Sequence, residues 1–321
     1  MPKPCMVKKM LVTGAAGFIG SHLCCALSGA GSRVVACDLP RVDWWRHDEL
    51  GVKAERTEAD LSEARAVAAL ARRGPFDTVF HLASTVDVRR DEDLVSVVLD
   101  SDVRAASLVL RTFAHRVRRM VLAGTCEEYG DGPAPFKETQ RESAVSPYAW
   151  AKLCVTHLGQ LYAKVFGAPV VVVRPFLTYG PLQTGDMLVP AAIRAALSNQ
   201  PLHMTKGEQA REFMFVDDTV AGLAAVAKAP GVTGKIVNLG SGRETRVADA
   251  VTLIYDLCRA RTRPRIGTLP YRPGETMHFF SSTTFARRVL CWRPRIRLEA
   301  GLRRTVEWYR DHLSRHRATR T

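Results

Sequence analysis

Apolar residues in the first 175 positions fall into short runs, separated by longer stretches where apolar side chains recur every three or four residues. The runs predict buried strands and the stretches between them predict helices. Because the runs are nearly continuous and do not alternate with polar residues, they are typical of a parallel sheet covered on both faces. The predicted strands span residues 10–13, 33–38, 52–56, 78–82, 120–123 and 170–173.

Beyond residue 175 the pattern becomes irregular. We predict helices over residues 189–197, 217–227, 247–261 and 298–313, and a strand over 235–239 that rejoins the first sheet. Alternating strands and helices of this kind predict a doubly wound α/β fold. The expected division is a first domain of residues 1–175 with about 212–240, and a smaller α/β C-terminal domain of residues 176–211 and 241–321.

Composition excludes several classes of protein. The chain has 321 residues, 24% of them charged, and no apolar stretch approaches the ~18 to 20 residues of a membrane span. The formal net charge is +14, which requires that a nucleic-acid partner be considered. The basic residues are scattered, however, and we expect neither a nucleic-acid nor a membrane partner.

Met1-Pro2-Lys3-Pro4 runs straight into a strand, so we expect no signal peptide and a cytoplasmic protein.

The eight cysteines include no C-x-x-C pair, and no His cluster has the spacing of metal ligands. We therefore expect reduced thiols, mostly buried, and no metal site.

Glycines at three-residue intervals follow the first predicted strand: Gly14-Ala-Ala-Gly17-Phe-Ile-Gly20. Glycine lets the backbone turn tightly and approach a pyrophosphate, which then lies at the N-terminus of the following helix. Such turns are common in α/β folds, so the loop alone is a weak signal. Together with its strand, its helix and a downstream acid, it predicts a Rossmann-type dinucleotide site.

The downstream acid is Asp38, which ends the second predicted strand. A carboxylate at this place accepts hydrogen bonds from the adenosine ribose and repels a 2′-phosphate. We therefore expect NAD as the cofactor in preference to NADP. A simple turn residue is the alternative interpretation of Asp38.

Tyr148 and Lys152 are four residues apart and share one face of a predicted helix. A neighbouring ammonium favours the phenolate, so we expect it to lower the tyrosine pKa from about 10 toward neutrality. Tyr148 is then a candidate base for an alcohol proton. The spacing is frequent by chance and a surface pair is the alternative, but the glycine loop and Thr125 favour catalysis.

With these residues the chain resembles the extended short-chain dehydrogenase/reductases that act on nucleotide sugars, over nearly its whole length. The motifs that carry the resemblance are Gly14 to Gly20, Asp60-Leu61, His81-Leu-Ala-Ser84, Thr125, Tyr129-Gly130, Ser146-Pro-Tyr148 with Lys152, Arg174-Pro175, Tyr179-Gly-Pro181, Arg211-Glu-Phe213 and Val216-Asp-Asp218.

The resemblance implies a tightly held NAD, Thr125 as the hydroxyl partner of Tyr148, and Lys152 on the nicotinamide ribose. It also implies that Arg211 and Arg272 bind the substrate diphosphate, which suits two guanidinium groups. A homodimer through helices after the fourth and fifth strands is implied as well. The further implied cofactor contacts are Gly14, Gly17, Phe18, Ile19, Gly20, Asp38, Asp60, Leu61, Leu82, Ala83, Ser84 and Pro175, and the further substrate contacts are Glu127, Leu177, Thr178 and Val189.

The segment Gly124-Thr-Cys-Glu-Glu-Tyr-Gly130 separates the reactions of this family. In its 4,6-dehydratases an Asp and a Glu follow the Ser/Thr as acid and base. Counted back from Tyr129, Glu127 takes the Glu place and Cys126 the Asp place. A carboxylate there can remove the C5 proton of a 4-keto sugar, and a protonated thiol can protonate a leaving C6 hydroxyl. Packing of Cys126 and substrate hydrogen bonding by Glu127 are the alternatives.

We therefore predict an NAD-dependent nucleotide-sugar dehydratase of the UDP-hexose or UDP-GlcNAc type. It eliminates water across C5–C6, and a 5,6-ene product is favoured over a 4-keto-6-deoxy product. A 4-epimerase and a UDP-glucuronate decarboxylase are the alternatives within the family. From another class, an NAD-bound scaffold or RNA-binding protein stays open. The chain also departs from the family pattern, because Leu177 and Asp102 stand where many relatives have Asn.

Overall fold

The computed structural model describes residues 7–272 and 274–318. Met1 to Pro4, on which the expectation about a signal peptide rests, and Cys5 lie outside the described residues. In chain order the strands are β1 (Lys9–Thr13), β2 (Arg33–Asp38), β3 (Glu55–Glu58), β4 (Thr78–His81), β5 (Arg119–Ala123), β6 (Val170–Pro175), β7 (Thr178–Tyr179), β8 (Ala210–Glu212), β9 (Met214–Phe215), β10 (Ile236–Leu239), β11 (Glu244–Arg246) and β12 (His278–Phe279).

Seven of these strands form the central sheet, in the order β10-β6-β5-β4-β1-β2-β3, and all neighbouring strands in it are parallel. The prediction of a Rossmann-type doubly wound sheet is confirmed. So is the return of the late strand, because β10 pairs with β6 and brings Ile236 opposite Val172. A three-stranded sheet, β11-β8-β12, and the short pair β7-β9 lie outside the central sheet.

The predicted third strand is displaced along the chain. We expected it over residues 52–56, and the structure has β3 at Glu55–Glu58, at the edge of the sheet with mostly exposed residues. An edge strand pairs on one side only and does not need a continuous apolar run. The apolar signal came instead from Val52 and Ala54, which pack against the core just before the strand.

Helices cover both faces of the sheet. They are α1 (Phe18–Gly29), α2 (Trp45–Glu49), α3 (Ala64–Ala71), α4 (Leu94–Val98), α5 (Ala105–Phe113), α6 (Pro147–Phe166), α7 (Leu188–Leu197), α8 (Val216–Lys228), α9 (Val247–Cys258), α10 (Thr284–Leu290) and α11 (Leu298–Ala318). The predicted helices are present with small shifts of their ends. Helix α9 stops before its predicted end because Arg259 adopts a left-handed conformation, with φ of 53°.

Alternate side chains of each central strand enter opposite cores. In β1, Met10 and Val12 pack into one apolar cluster with Leu23 of α1, while Leu11 packs into a second cluster with Val109 of α5. Burial on both faces explains why the strand sequences are continuously apolar. It also fixes the carboxyl ends of the parallel strands along one edge, where ligands bind in folds of this kind.

Within the described residues, no helix has the length and apolar character needed to cross a bilayer. The cytoplasmic location stays a prediction, as does the division of the chain into two domains.

Candidate active site

A cleft of about 1150 Å³ lies along the carboxyl ends of β1, β2, β4, β5 and β6. Its walls bring together all the residues that the sequence predicted to contact the cofactor. They are Gly14, Gly17, Phe18, Ile19, Gly20, Asp38, Asp60, Leu61, Leu82, Ala83, Ser84, Tyr148, Lys152 and Pro175. Thr125, Cys126 and Glu127 line the same cleft, as do Leu177 and Thr178.

The glycine loop is built for close backbone approach. Gly14 has a left-handed φ of +67°, and a Cβ at Gly20 would lie 2.0 Å from the Gly14 carbonyl oxygen. Helix α1 begins after Gly17 with no side-chain cap and no acidic residue in its first turn. No side chain of the helix itself therefore competes for its terminal N–H groups. A dinucleotide pyrophosphate fits this end of the cleft on chemical grounds.

Asp38 lines the cleft at the carboxyl end of β2, and its carboxylate is held by two backbone N–H groups. One carboxylate oxygen accepts a hydrogen bond from the Ala16 N–H at 2.8 Å, and the other accepts from the Leu39 N–H at 2.8 Å. Asp60 is oriented by Ser62, whose N–H and hydroxyl donate to it at 2.9 and 2.6 Å. Both acids are thus fixed in the cleft lining by neighbouring backbone N–H groups and, for Asp60, by the Ser62 hydroxyl as well.

A 3₁₀ turn over residues 126–129 contains two adjacent glutamates, Glu127 and Glu128, whose side chains lie in different surroundings. The turn is capped by Thr125, whose hydroxyl accepts from the Glu127 N–H at 3.3 Å while Glu128 accepts from the Thr125 N–H at 2.8 Å. Glu128 is fully buried, and its carboxylate also pairs with Arg174 at 2.6 Å. Glu127 is left to line the cleft, as the sequence predicted.

Glu127 lies in a poorly hydrated position among charges. Burial raises the pKa of Glu127, and the nearby Glu275 carboxylate acts in the same direction. The charges of Arg211 and Arg90 oppose this rise in the pKa. A carboxylate with a raised pKa is a stronger base, which suits proton removal.

The Cys126 thiol is buried at the edge of an aromatic cluster formed by Tyr129, Phe136, Phe176 and Phe279. Burial raises the pKa of Cys126 well above its ordinary value, and the Glu127 charge adds to the rise. The thiol therefore stays protonated at neutral pH. Its burial beside these rings agrees with a packing role for Cys126. Because Cys126 also lines the cleft, its position agrees as well with a role as a proton donor.

Tyr148 and Lys152 follow the capped start of α6, where the Ser146 hydroxyl accepts from the Ala149 N–H at 3.2 Å. Both side chains are buried. Burial raises the pKa of Tyr148, opposed by its hydrogen bond to Thr125. The expected lowering of the Tyr148 pKa by Lys152 is wrong for this structure. The Lys152 ammonium lies 3.5 Å from Asp102 and donates to the Ala123 carbonyl at 3.1 Å.

The predicted diphosphate ligands lie outside the cleft lining. Arg211 forms an ion pair with Glu275 and donates to the Thr276 carbonyl at 2.8 Å. Arg272 is exposed on the loop before Glu275.

Two other predicted substrate contacts have different surroundings. Val189 is buried in the apolar core on α7, and Thr178 donates to the Phe176 carbonyl at 2.9 Å. The substrate roles of these residues stay predictions.

Sequence reasoning missed two arginines beside the site. Arg46 of α2 lines the cleft and donates to the Leu182 carbonyl at 3.0 Å and to Thr184 at 2.9 Å. Arg90 lies near Gly274, with a guanidinium nitrogen 3.9 Å from the place of a Cβ there. Neither belongs to a local motif. The sequence contains many scattered arginines, and no pattern distinguishes these two from the rest. No group of metal-ligating side chains occurs in the part of the chain that the structure describes.

The fold and the cleft define a Rossmann-type enzyme with a tyrosine–lysine pair at its centre. Residues 10–240 match the NAD dependent epimerase/dehydratase family, and the chain belongs to this family. NAD is its cofactor, as the sequence predicted.

Two relatives and one solved structure illustrate the range of reactions among similar proteins. The UDP-glucose 4-epimerase of Mycolicibacterium smegmatis is 31% identical over 94% of this chain and 99% of its own. The dTDP-glucose 4,6-dehydratase 1 of Escherichia coli is 28% identical over 94% of this chain and 92% of its own. The crystal structure of a UDP-glucuronic acid 4-epimerase from Bacillus cereus, in complex with UDP-glucuronic acid and NAD, has a TM-score of 0.83, 26% identity and coverage of 95% and 99%.

Proposed function

We propose that this protein is an NAD-dependent dehydratase that removes water across C5–C6 of a UDP-linked hexose or N-acetylhexosamine. The observation that carries the proposal is the position of Glu127. It is a mostly buried carboxylate that lines the cleft beside Thr125 and Tyr148, while its neighbour Glu128 is occupied in the interior. A 4-epimerase needs no such base next to the sugar, whereas an elimination does.

Tyr148 and Thr125 act at C4 of the sugar. When bound, NAD supplies reversible oxidation and reduction at this carbon. Tyr148 accepts the proton of the C4 hydroxyl and gives it back at the end of the cycle, and the Thr125 hydroxyl holds the C4 oxygen in place. Burial raises the pKa of Tyr148, which suits the returning step, in which it acts as an acid, whereas the first step requires its phenolate.

Glu127 acts at C5 once C4 is a ketone. The ketone acidifies the C5 proton, and Glu127 removes it. Cys126 gives its thiol proton to the departing C6 oxygen, so that water leaves and a C5–C6 double bond forms. A proton passed from Glu127 to the adjacent Cys126 then restores both side chains, and the net change is the loss of one water.

We favour return of hydrogen to C4 and release of an exocyclic 5,6-ene. The thiol of Cys126 replaces the carboxylic acid expected of a 4,6-dehydratase. The Thr125-Cys126-Glu127 triplet is similar to that of the UDP-GlcNAc 5,6-dehydratase of tunicamycin biosynthesis. This resemblance supports both the substrate class and the 5,6-ene product.

Arg211 and Arg272 bind the substrate diphosphate in this proposal. Arg211 is paired with Glu275, so the diphosphate must compete with that carboxylate for the guanidinium. The exchange replaces one anionic partner of Arg211 with another, so the guanidinium stays paired while Glu275 gives up its place beside it. Movement of the loop carrying Arg272 and Glu275 would then accompany substrate binding.

We also propose a homodimer. Two outer segments expose apolar side chains: Val95, Val97 and Leu99 near α4, and Leu161, Val165 and Phe166 on α6. Pairing of such surfaces between two copies would remove them from water. Light scattering on the purified protein should give twice the chain mass, and a monomer at micromolar concentration would refute this part.

The function is tested by incubating the NAD-loaded protein with UDP-glucose, UDP-GlcNAc, UDP-glucuronate and dTDP-glucose, and recording product mass and proton NMR spectra. The proposal predicts a product that has lost one water. A product of unchanged mass would identify an epimerase, and loss of CO2 from the glucuronate would identify a decarboxylase. Inactivity on all four combined with salt-dependent RNA binding would favour the scaffold alternative.

A further inference from the structure

Helix α2 contacts three parts of the molecule: the glycine loop, the cleft and the C-terminal helix α11. The Trp45 ring of α2 stacks on the Trp308 ring of α11, with the ring centroids 6.4 Å apart. Glu49 of α2 forms an ion pair with Arg315 of α11. A helix of five residues is marginal by itself, so contacts of this kind hold α2 in position.

Two successive residues of α2 hold two successive carbonyl groups of the glycine loop. The buried His47 ring donates from Nε2 to the Ala15 carbonyl at 2.8 Å, because a carbonyl oxygen can only accept. The Arg46 guanidinium donates from Nη1 to the Ala16 carbonyl at 3.4 Å. Helix α2 therefore supports the loop at which we expect the cofactor pyrophosphate.

A second wall of the cleft includes residues 182–184, which follow β7 and which we call the strap. Gln183 and Thr184 line the cleft. Leu182 has a left-handed φ of 63°, a conformation that leucine rarely adopts and that neighbouring contacts must maintain. One such contact comes from Tyr309 of α11, whose hydroxyl donates to the Gln183 carbonyl.

The Arg46 side chain links the strap to the glycine loop. Its Nε donates to the Leu182 carbonyl at 3.0 Å, and its Nη2 donates to the Thr184 hydroxyl at 2.9 Å. With the bond to Ala16, the three nitrogens of one guanidinium reach three acceptors in two separate segments. The guanidinium also lies over the Trp45 ring, 4.4 Å from its centroid, which favours one orientation of the group.

We propose that Arg46 is a positioning residue that retains NAD, because it links two walls of the cofactor cleft. Separation of the strap from the glycine loop requires these hydrogen bonds to break, so the link opposes opening of the cleft. Its effect belongs in the rate at which NAD leaves, where most differences in affinity between related complexes arise. The inference needs the NAD cofactor of the family and no particular reaction, so it holds for a dehydratase, an epimerase or a decarboxylase alike.

The alternative is that Arg46 attracts the anionic cofactor by its charge alone. Lysine carries the same charge, but its donors all lie on one nitrogen and cannot be directed at three separate acceptors. Arg46→Lys therefore separates the two explanations. It should retain NAD if the charge is sufficient and release NAD if the link is required.

The test is the rate at which labelled NAD leaves the protein in the absence of a sugar substrate. The parent and each variant are loaded with radiolabelled NAD, unlabelled NAD is added in excess, and the bound label is measured over time. Arg46→Met should raise the release rate by about tenfold, since the hydrogen bonds of a charged donor are lost. Arg46→Lys should release NAD nearly as fast as Arg46→Met.

Two control variants separate NAD release from a general loss of stability. Arg111→Met removes an exposed guanidinium from the last turn of α5, which leads to the edge of the sheet opposite the cleft. Val109→Ala weakens the apolar core around the same helix without changing the cleft lining. Both controls should release NAD at the parent rate.

Thr184→Val tests the same link at an exposed position, and it decides the matter if the Arg46 variants fail to fold. Valine keeps the shape of the side chain and loses the acceptor, so release should rise by about threefold. The parent rate in Arg46→Met, or in Thr184→Val where Arg46→Met does not fold, would overturn the inference. Parent-like retention in Arg46→Lys, or a parent protein that loses its label as fast as Arg46→Met, would overturn it as well. Failure of the dehydratase proposal would leave these release rates unchanged.

Discussion

The Glu128 carboxylate and the Arg174 guanidinium form a fully buried ion pair, with two hydrogen bonds of 2.9 and 2.6 Å from Nε and Nη2 to a single oxygen. Arg174 also pairs with Glu142 at 2.7 Å and lies over the Tyr129 ring, 4.5 Å from its centroid. Glu128 therefore ties the turn that carries Glu127 to the last residues of β6. Of two adjacent glutamates, one maintains the site and the other is available for chemistry.

Glu128→Gln should destabilise the fold by about 3 kcal/mol, because it leaves the Arg174 charge buried with one carboxylate partner fewer. Glu127→Gln should leave the free energy of unfolding close to that of the parent, since Glu127 makes no ion pair among the described residues. Urea unfolding followed by circular dichroism measures both variants. Equal stability of the two would contradict the division of roles.

Glu127→Gln should stop exchange of the C5 proton with solvent while C4 oxidation continues. The amide cannot accept the proton, so NAD should accumulate in its reduced form without loss of water. Proton NMR in heavy water and the absorbance of reduced NAD follow the two events. Glu307→Gln, which removes an exposed carboxylate on α11, is the control and should behave as the parent. Unimpaired C5 exchange in Glu127→Gln would place the base elsewhere.

Much of the site could be predicted because it is encoded in local motifs. The glycine loop, Asp38 and the pair Tyr148 and Lys152 each sit at the end of an element whose apolar pattern is clear. The partner of Lys152 could not be predicted from spacing. Asp102 is fifty positions away, and it reaches the interior through an irregular turn that no apolar periodicity announces. The raised pKa of Tyr148 could not be predicted either, because it follows from the burial of the phenol in the folded chain.

The segments that carry Arg90 and Arg46 were the least predictable. Arg90 lies in a segment without regular structure before α4. Arg46 lies on the five-residue helix α2, and its side chain is placed by contacts with distant residues such as Leu182. The edge strand β3 was displaced for a related reason, because its residues are exposed and carry no apolar signal.

Tyr148→Phe should lower turnover by at least ~100-fold, the usual scale for a positioned acid or base. Binding of NAD and of the nucleotide sugar should persist, because the ring stays and only the hydroxyl is lost. Steady-state kinetics and calorimetric titration separate the two effects. Tyr162→Phe removes a hydroxyl from the same helix without touching the cleft, and it should keep parent activity. Near-normal turnover of Tyr148→Phe would remove the tyrosine from the mechanism.

Gly20→Ala should cost both stability and NAD content, since its Cβ would lie 2.0 Å from a backbone oxygen. Gly29→Ala, at the other end of α1, meets nothing within 4 Å. It should be neutral or stabilise the fold by up to about 1 kcal/mol, because alanine loses less backbone entropy in a helix. Thermal unfolding and the NAD released on denaturation compare the two. Full NAD content in Gly20→Ala would count against the assigned cofactor loop.

The fate of a deuterium placed at C4 of the substrate tests the proposed reaction most directly. The NAD-loaded protein is incubated with the C4-deuterated nucleotide sugar, and the product is examined by mass spectrometry and NMR. We predict loss of one water, deuterium recovered at C4, and vinylic CH2 signals of a 5,6-ene. Deuterium in a C6 methyl group would instead show an ordinary 4,6-dehydratase, and a product of unchanged mass with deuterium at an inverted C4 would contradict elimination altogether.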